Sequence, residues 1–229
     1  METLQNGFTL ELCSGAFPLS TDSIALAHFA SCKPNETVLD LGSGCGTLGL
    51  LLCAGNPTCQ ITGVEIDKTA HEQALKNAET NNISHRLTSI CADLATIPSL
   101  IKAGSFSVCI SNPPYFNGGP QSNRTPTARR EDLCNLETIM SSASWALKYG
   151  GDFYMVHRPE RLAEIFTKAS QYTLEPKKLL LLRHRENGPI SLVLVHCRKG
   201  GNHGLIWQEE FLYHQDGTTS DYYRSLYHT

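Results

Sequence analysis

The sequence predicts an α/β fold: a mostly parallel, seven-stranded sheet with helices on both faces and an antiparallel final strand. Two observations support this prediction. Short apolar stretches typical of strands alternate with stretches of helical length over most of the chain, and strands separated by helices pair in parallel through crossover connections. The last two apolar stretches are separated only by "RENGP", a spacing that favours a hairpin and therefore an antiparallel strand.

Each element is predicted from an apolar stretch and the residues that stop it. The seven strands are expected, in order, at "TVLDLG", "QITGVEID", "RLTSICAD", "SFSVCISNPP", "DFYMVHR", "KKLLLLRH" and "ISLVLVHCRK". One helix is expected over "GTLGLLLCAG", and a second begins at Asp67 and closes near Asn82. A third covers "LETIMSSASWALKYGG" and stops at Gly150, and a fourth covers "PERLAEIFTKASQY" with Pro159 in its first turn.

Composition indicates one globular domain with accessory segments at both ends. The chain has 229 residues and an ordinary hydrophobic fraction of 41%, which suits a single core. We expect residues 1–36 to form an N-terminal cap or helix that completes a ligand pocket. Residues 37–200 are expected to form the main domain, and residues 201–229 to be a C-terminal extension of it.

Location and metal content are predicted from simple features of the chain. The longest apolar stretches are too short to span a membrane, and the N-terminus has acids where a signal peptide needs early positive charge. The nine cysteines form no C-x-x-C pair and have no histidine at zinc-finger spacing, which favours free thiols over disulfides or a metal site. We therefore expect a cytoplasmic protein with no membrane contact and no metal.

Charge is distributed unevenly along the chain. The net charge is −3, which argues against a simple basic coat for nucleic acid. Residues 121–200, however, hold thirteen Lys and Arg against eight Asp and Glu, and are therefore net +5. This block is either a solvated face or a rim that contacts phosphates beside an active site.

A glycine-rich turn follows the first predicted strand. The stretch "VLDLGSGCG" places Asp40 inside an apolar strand and Gly42, Gly44 and Gly46 in the turn that leads to a helix. Glycines let a ligand lie against the backbone, and helix N-terminal amides point into the same crevice. The compact G-x-G-x-G spacing resembles the S-adenosylmethionine loop of class I methyltransferases, which implies a Rossmann-like fold. The alternatives are a plain turn or a nicotinamide site, which would use G-x-G-x-x-G.

Acidic residues end the next two strands. Glu65 ends the second strand, where a carboxylate can accept from both ribose hydroxyls of a nucleoside cofactor. Asp93 ends the third, and it matches the position that accepts from the cofactor's adenine amine in class I methyltransferases. Either acid alone could instead be a helix cap, since Asp67 and Asp93 both precede plausible helix starts.

The tetrapeptide "NPPY" stands at the carboxyl end of the fourth strand, where ligands of open α/β folds bind. Two prolines fix the chain after Asn112, so that its side-chain carbonyl and the Pro113 backbone carbonyl can accept from one amine. These acceptors would stabilise the positive charge that develops when a planar amine is methylated. Tyr115 can stack on a planar substrate, and Asn112 is also expected to contact the cofactor. The alternative is a proline-rich strand end with core aromatics.

Most of the chain resembles the bacterial tRNA1(Val) (adenine(37)-N6)-methyltransferases. The similarity rests on "FPLSTDSIALAHFA", "SNPPYF", "ARRE" and "GGDFYMVHRPERLAEI" followed by "LEPKKLLLL". It implies methylation of adenine 37, beside the anticodon of tRNA(Val), with S-adenosyl-L-methionine as cofactor and S-adenosyl-L-homocysteine as product. It also implies that Thr21 and Asp22 lie against the cofactor, while Ser20 and Ser23 stand where glycines are common in relatives. The implied partner is tRNA, and no obligate protein partner is evident.

Other functions share parts of this pattern. Glutamine-N5 methyltransferases that act on translation factors have the same loop and the same NPPY, but usually a helical substrate domain before the loop, and only 39 residues precede Asp40 here. DNA adenine methyltransferases need a target-recognition region, for which the residues after Gly200 are too short and too acidic. A non-catalytic RNA-binding module and a nicotinamide oxidoreductase are further alternatives.

Overall fold

The computed structural model describes residues 2–4, 7–114 and 135–227. The strands are β1 (Glu2–Thr3), β2 (Thr9–Leu10), β3 (Thr37–Leu41), β4 (Gln60–Glu65), β5 (Leu87–Cys91), β6 (Phe106–Ser111), β7 (Leu147–His157), β8 (Leu174–Arg185), β9 (Ile190–Lys199) and β10 (Ile206–Tyr213). The helices are α1 (Thr21–Phe29), α2 (Thr47–Gly55), α3 (Lys68–Thr80), α4 (Ile97–Leu100), α5 (Leu136–Ala146), α6 (Leu162–Gln171) and α7 (Asp221–Tyr227), with 3-10 turns at Leu94–Thr96 and Pro159–Arg161.

The main sheet confirms the predicted class. Its strand order is β10-β8-β9-β7-β6-β3-β4-β5. Strands β3 to β7 pair in parallel, and β9 is antiparallel to both β7 and β8, as the short "RENGP" connection predicts. The carboxyl ends of β3, β4, β5 and β6 therefore lie side by side along one edge of the sheet.

The sheet has eight strands rather than the predicted seven. The additional strand is β10, which pairs in parallel with β8 at the edge of the sheet. Ile206 and Trp207 are each 66% exposed, and the first half of the strand has no buried residue. Because an edge strand of this kind shows no buried alternation, the apolar pattern could not identify it.

The third predicted helix ends earlier than expected. We expected it to stop at Gly150, but α5 ends at Ala146 and β7 begins at Leu147. Leu147 pairs with Phe106, and the ladder shifts register before Val108. Gly150 has a φ of +79° inside this irregular stretch, so the glycine allows a bend in a strand and does not end a helix.

Helices cover both faces of the sheet, as predicted. On one face, Val38, Ile61 and Val108 pack with the buried residues of α1, α2 and α3. On the other, Leu39 and Phe153 pack with α4, α5 and α6. Neighbouring residues of β3 thus enter different cores, because successive side chains of a strand point to opposite faces.

Described segments near both ends of the chain pack against the helices beside the sheet. The N-terminal residues 9–11 bind α3 through the side chains of Asn77 and Asn81. At the other end, α7 packs beside α1, where Tyr227 and Thr21 hydroxyls are 3.2 Å apart. Within the described part of the chain, no helix combines the length and apolar character needed to cross a membrane.

Candidate active site

A cavity of about 360 Å³ lies at the carboxyl ends of β3, β4, β5 and β6. This volume falls in the range of small-molecule sites. Seven of the predicted site residues line it, namely Asp22, Gly42, Gly44, Glu65, Asp93, Asn112 and Pro113. Thr21, Asp40 and Gly46 do not line it, and Tyr115 lies outside the described residues.

The glycine loop needs its glycines for two different reasons. Gly42, Gly44 and Gly46 all have positive φ, of 78°, 54° and 82°, a conformation that side chains disfavour. A Cβ built on Gly44 would meet nothing within 4 Å, whereas one on Gly46 would lie 3.3 Å from the Cβ of Ala74. Gly44 therefore leaves open space at the cavity, and Gly46 lets the loop pack on α3.

Glu65 fastens this loop to the end of β4. Its Oε2 accepts a hydrogen bond from the Gly44 amide, and its Oε1 accepts from the Asp67 amide, both at 2.8 Å. Each carboxylate oxygen has further acceptor capacity. The side chain can therefore hold the loop and still accept from hydroxyl groups of a ligand.

Asp40 lies in β3 beneath the loop rather than on the cavity wall. It is 1% exposed, and neither carboxyl oxygen has a hydrogen-bond partner among the described residues. Burial, together with the nearby charge of Glu65, raises the pKa of Asp40 to about 8. The carboxyl group is consequently mostly protonated at neutral pH.

Two further acids cap helical turns, as the sequence suggested, and also line the cavity. Asp67 accepts from the amides of Thr69 and Ala70 at the start of α3. Asp93 Oδ1 accepts from the Ala95 amide at 2.9 Å, while Oδ2 has no hydrogen-bond partner among the described residues. Asp93 can therefore both cap the helical turn and contact a cofactor, because the cap uses only one of its two carboxylate oxygens.

Helix α1 brings Asp22 to the cavity. Burial raises the pKa of Asp22, and the positive charge of Arg158 at the end of β7 opposes that shift. The neighbouring Thr21 points elsewhere, toward the Tyr227 hydroxyl of α7. Of the "TD" pair, only Asp22 therefore reaches the cavity.

Asn112 follows β6 directly, and its side chain is tied to α1. The Asn112 Nδ2 atom donates to Ser23 Oγ at 3.0 Å. The end of β6 is fixed to β3, because Ser111 Oγ donates to the Leu41 carbonyl at 2.8 Å. Pro113 is buried and, like any proline, has no amide donor.

Several residues that shape the site were not predicted from the sequence. Asn77, 2% exposed on α3, donates to the Cys45 carbonyl in the glycine loop and to the Glu11 carbonyl, both at 2.9 Å. Gly63 of β4 lies against Ser43, whose Oγ would be 2.4 Å from a Cβ at position 63. The sequence did contain a signal for each residue. Gly63 is an isolated glycine inside a predicted strand, and Asn77 lies among alanines on one face of a predicted helix.

The donor set of the cavity fits S-adenosylmethionine. Apolar walls that include Leu12, Val64 and Leu94 suit an adenine ring, and the acids Asp22, Glu65 and Asp93 suit hydroxyl and cationic groups. The open space at Gly44 admits a ligand against the backbone. In the three described ranges, no cluster of three or more His, Cys, Asp or Glu is placed to hold a metal ion.

Comparisons with known proteins agree on a methyltransferase. The family model for the methyltransferase small domain matches residues 20–174. A curated tRNA1(Val) (adenine(37)-N6)-methyltransferase from a Flavobacteriaceae bacterium is 31% identical over 77% of this chain and 72% of its own. A protein of the same name from Aeromonas hydrophila is 31% identical over 92% of this chain and 89% of its own.

Solved structures show the same fold at lower identity. A structure described as a predicted O-methyltransferase from Agrobacterium tumefaciens superposes with a TM-score of 0.76, at 20% identity, over 91% of this chain and 96% of that chain. A geranyl diphosphate methyltransferase in complex with SAM has a TM-score of 0.55, at 13% identity, over 77% of this chain and 84% of that chain. These likenesses establish the fold.

Proposed function

The chain belongs to the methyltransferase small domain family and to the tRNA1(Val) (adenine(37)-N6)-methyltransferases, and from this premise we propose that it methylates the N6 amine of adenine 37 in tRNA(Val). The observation that carries the proposal is the placement of Asn112 and Pro113 on the wall of the same cavity as the glycine loop. The acceptors for the amine and the loop for the nucleoside would thus share one crevice.

Gly42, Gly44, Glu65, Asp93 and Asp22 would hold the cofactor, since all of them line the cavity. Asp40 and Gly46 act from beneath, one under the loop and one against α3, and Thr21 supports α1. When bound, S-adenosyl-L-methionine supplies an electrophilic methyl group on a sulfonium and leaves as S-adenosyl-L-homocysteine. The acidic lining favours that cation electrostatically.

The task of Asn112 and Pro113 is to overcome the weak nucleophilicity of an aryl amine, whose lone pair is delocalised into the ring. The Asn112 side-chain carbonyl and the Pro113 backbone carbonyl would accept from the two N–H bonds of the amine. Two fixed acceptors orient the lone pair and stabilise the positive charge that develops on the nitrogen. The methylated nitrogen would be acidic and would release its extra proton to water, so no strong general base is needed for this step.

Tyr115 would stack on the adenine, a role typical of aromatic residues beside flipped or unpaired bases. An adenine in an anticodon loop is already partly unpaired, so its extrusion costs less than extrusion from a duplex. Because its substrate would be tRNA, we place the enzyme in the cytoplasm.

The test is to incubate the purified protein with isotopically labelled cofactor and, in parallel, unmodified tRNA or cytosolic protein, and to identify the product by mass. We expect label as N6-methyladenosine at position 37 and none with the Asn112→Ala variant, which should still bind the cofactor. Label in protein as N5-methylglutamine, with tRNA blank, would move the substrate to a translation factor. Full activity of Asn112→Ala would overturn the role of the amide.

A further inference from the structure

Within the part of the chain that the structure describes, the side-chain amide of Asn112 makes one hydrogen bond, to a residue far away in the sequence. Asn112 Nδ2 donates to Ser23 Oγ at 3.0 Å, and Ser23 is only 7% exposed. Asn112 Oδ1 has no hydrogen-bond partner among the described residues. The amide is thus held by its nitrogen end, and no described residue occupies its oxygen end, which can therefore accept from a substrate.

This orientation is the one that an amine substrate requires. A serine hydroxyl can both donate and accept, so Ser23 alone would tolerate a flipped amide. A flipped amide, however, would turn the Asn112 NH2 group toward the substrate NH2 group and place donors opposite donors. Only the observed orientation satisfies Ser23 and a substrate amine together.

Ser23 lies on an anchored element. The Ser20 side chain caps α1 by accepting from the Ser23 amide, and Thr21 in the same turn contacts the Tyr227 hydroxyl of α7. Side chains on supported helices hold their partners more accurately than side chains on loops.

We propose that Ser23 is a positioning residue, which holds the Asn112 amide so that Oδ1 faces the substrate amine. The inference rests on the proposed function, because it assumes that the Asn112 side-chain carbonyl accepts from the amine that is methylated. Ser23 also lines the cavity, but in this proposal it acts through its hydrogen bond to Asn112.

The experiment compares kcat and KM for unmodified tRNA, and the calorimetric Kd for S-adenosylmethionine, in full-length variants. In Ser23→Ala we expect kcat to fall by about 10- to 100-fold, since a small misplacement of a reacting group costs up to that much. The Kd for the cofactor should rise by a much smaller factor than kcat falls, because Gly42, Gly44, Glu65, Asp93 and Asp22 on the same cavity wall still hold the cofactor. Ser23→Thr, which restores the hydroxyl, should recover most of the loss.

Two further variants separate positioning from folding. Ser141 is also a helical serine, half-buried on α5, whose Oγ donates to the Thr138 carbonyl at 3.0 Å away from the cavity, so Ser141→Ala controls for the loss of such a hydroxyl and should keep kcat within about twofold. Ser23→Cys keeps nearly the same volume with a weak hydrogen-bonding group, so it tests the proposal even when Ser23→Ala does not fold. Its kcat should lie below that of the native chain, with an unchanged thermal midpoint.

Three results would overturn the proposal: native kcat in Ser23→Ala or Ser23→Cys, a cofactor affinity that falls in proportion to kcat, or no recovery in a folded Ser23→Thr. The proposed function fails separately, when the native protein does not methylate tRNA. In that case the same variants are assayed on the amine that the native protein does methylate, such as glutamine N5. A fall in kcat there supports Ser23 independently of the RNA substrate.

Discussion

At the scale of single residues, Asp40 lies at a different place in the site from the one that the sequence predicted. Its place in "VLDLGSGCG" predicts a cofactor contact, but the carboxyl group is buried below the loop without a hydrogen-bond partner among the described residues. The spacing of a motif identifies the end of a strand. It does not give the direction of each side chain, which alternates along the strand.

The buried carboxyl of Asp40 predicts a pH dependence of stability in the cofactor-free protein. Its pKa is raised to about 8 in the folded chain, whereas an unfolded aspartate titrates near about 4. Between these values the folded state keeps a proton that the unfolded state releases, so stability falls as pH rises through this window. Urea unfolding should show the native chain losing more stability than Asp40→Asn between pH 5 and pH 8.

The comparison of the native chain with Asp40→Asn tests whether Asp40 is protonated in the folded protein. Asn at position 40 does not titrate, so its variant keeps only the pH dependence of the other groups. Parallel stability curves for the two proteins would mean that Asp40 is ionised in the fold, against the effect of its burial.

Gly63 predicts a steric effect on the cofactor site. Its strand backbone is not in the left-handed region, so an alanine adds no backbone strain. A Cβ would nevertheless lie 2.4 Å from Ser43 Oγ and 2.7 Å from Ser43 Cβ. We expect Gly63→Ala to push Ser43 and the glycine loop outward and to weaken cofactor binding at least about tenfold, measured by calorimetry.

A second substitution tests whether Ser43 is the cause. Removing the clashing side chain in Gly63→Ala, Ser43→Gly should restore much of the cofactor affinity, giving a large coupling energy between the two positions. Additive losses would place the effect elsewhere in β4.

At the scale of elements, helix α3 serves as a dock for the N-terminal segment. Asn81 receives the Thr9 amide on Oδ1 and donates to the Thr9 carbonyl, and Asn77 does the same for Glu11. The two asparagines stand one helical turn apart. Their side chains therefore pair with the backbone of residues 9–11 much as a neighbouring strand would. Only Asn77 also reaches the Cys45 carbonyl in the glycine loop.

This difference predicts distinct effects for two similar substitutions. Asn77→Ala and Asn81→Ala each remove at least two hydrogen bonds to half-buried backbone groups, and each should lower the free energy of unfolding by about 1–3 kcal/mol, at about 0.5–1.5 kcal/mol per bond. Asn77→Ala should in addition raise the Kd for S-adenosylmethionine several-fold, because it frees the loop, while Asn81→Ala should leave that Kd within about twofold. An equal loss of cofactor affinity in both would mean that Asn77 does not act through the loop.

Elements with buried periodic residues could be predicted, and those without them could not. The parallel strands β3 to β7 and the hairpin of β8 and β9 follow directly from their apolar stretches. Strand β10 does not, because its first residues are exposed, and the end of α5 was misplaced because Gly150 marks a bend in a strand. The local sequence pattern does not distinguish an exposed edge strand from a loop, or a glycine that bends a strand from one that ends a helix.

For the whole molecule, the parts of the site contributed by consecutive strand ends could be predicted, and the long-range parts could not. The glycine loop, Glu65, Asp93 and Asn112 meet because parallel strands share one edge. The Ser23 to Asn112 contact joins residues 89 apart, and that of Thr21 with Tyr227 joins residues 206 apart. No periodicity encodes such contacts, since they depend on how the two ends pack on the finished sheet.

The overall charge presents a physical problem for an RNA substrate, since the chain carries −3. Cations across the described ranges are often neutralised locally, as in Arg161 with Glu164, Lys168 with Glu137, and Arg183 with Glu209. Affinity for a polyanion then depends on cations that are concentrated near the site. Arg129 and Arg130, which follow NPPY in the sequence, are the candidates, although both lie outside the described residues.

These charges predict the salt dependence of tRNA binding. Each phosphate contact contributes a slope of about −0.7 to −0.9 in a plot of log affinity against log salt. Arg129→Gln, Arg130→Gln should therefore make the slope shallower by about 1.4 to 1.8. The matched control is Lys102→Gln, Lys148→Gln, which removes two exposed cations near the amino ends of β6 and β7, at the opposite edge of the sheet from Asn112. Both double variants change the net charge from −3 to −5. Equal slopes would show that tRNA responds to net charge alone, and a shallower slope only in the arginine variant would assign phosphate contacts to Arg129 and Arg130.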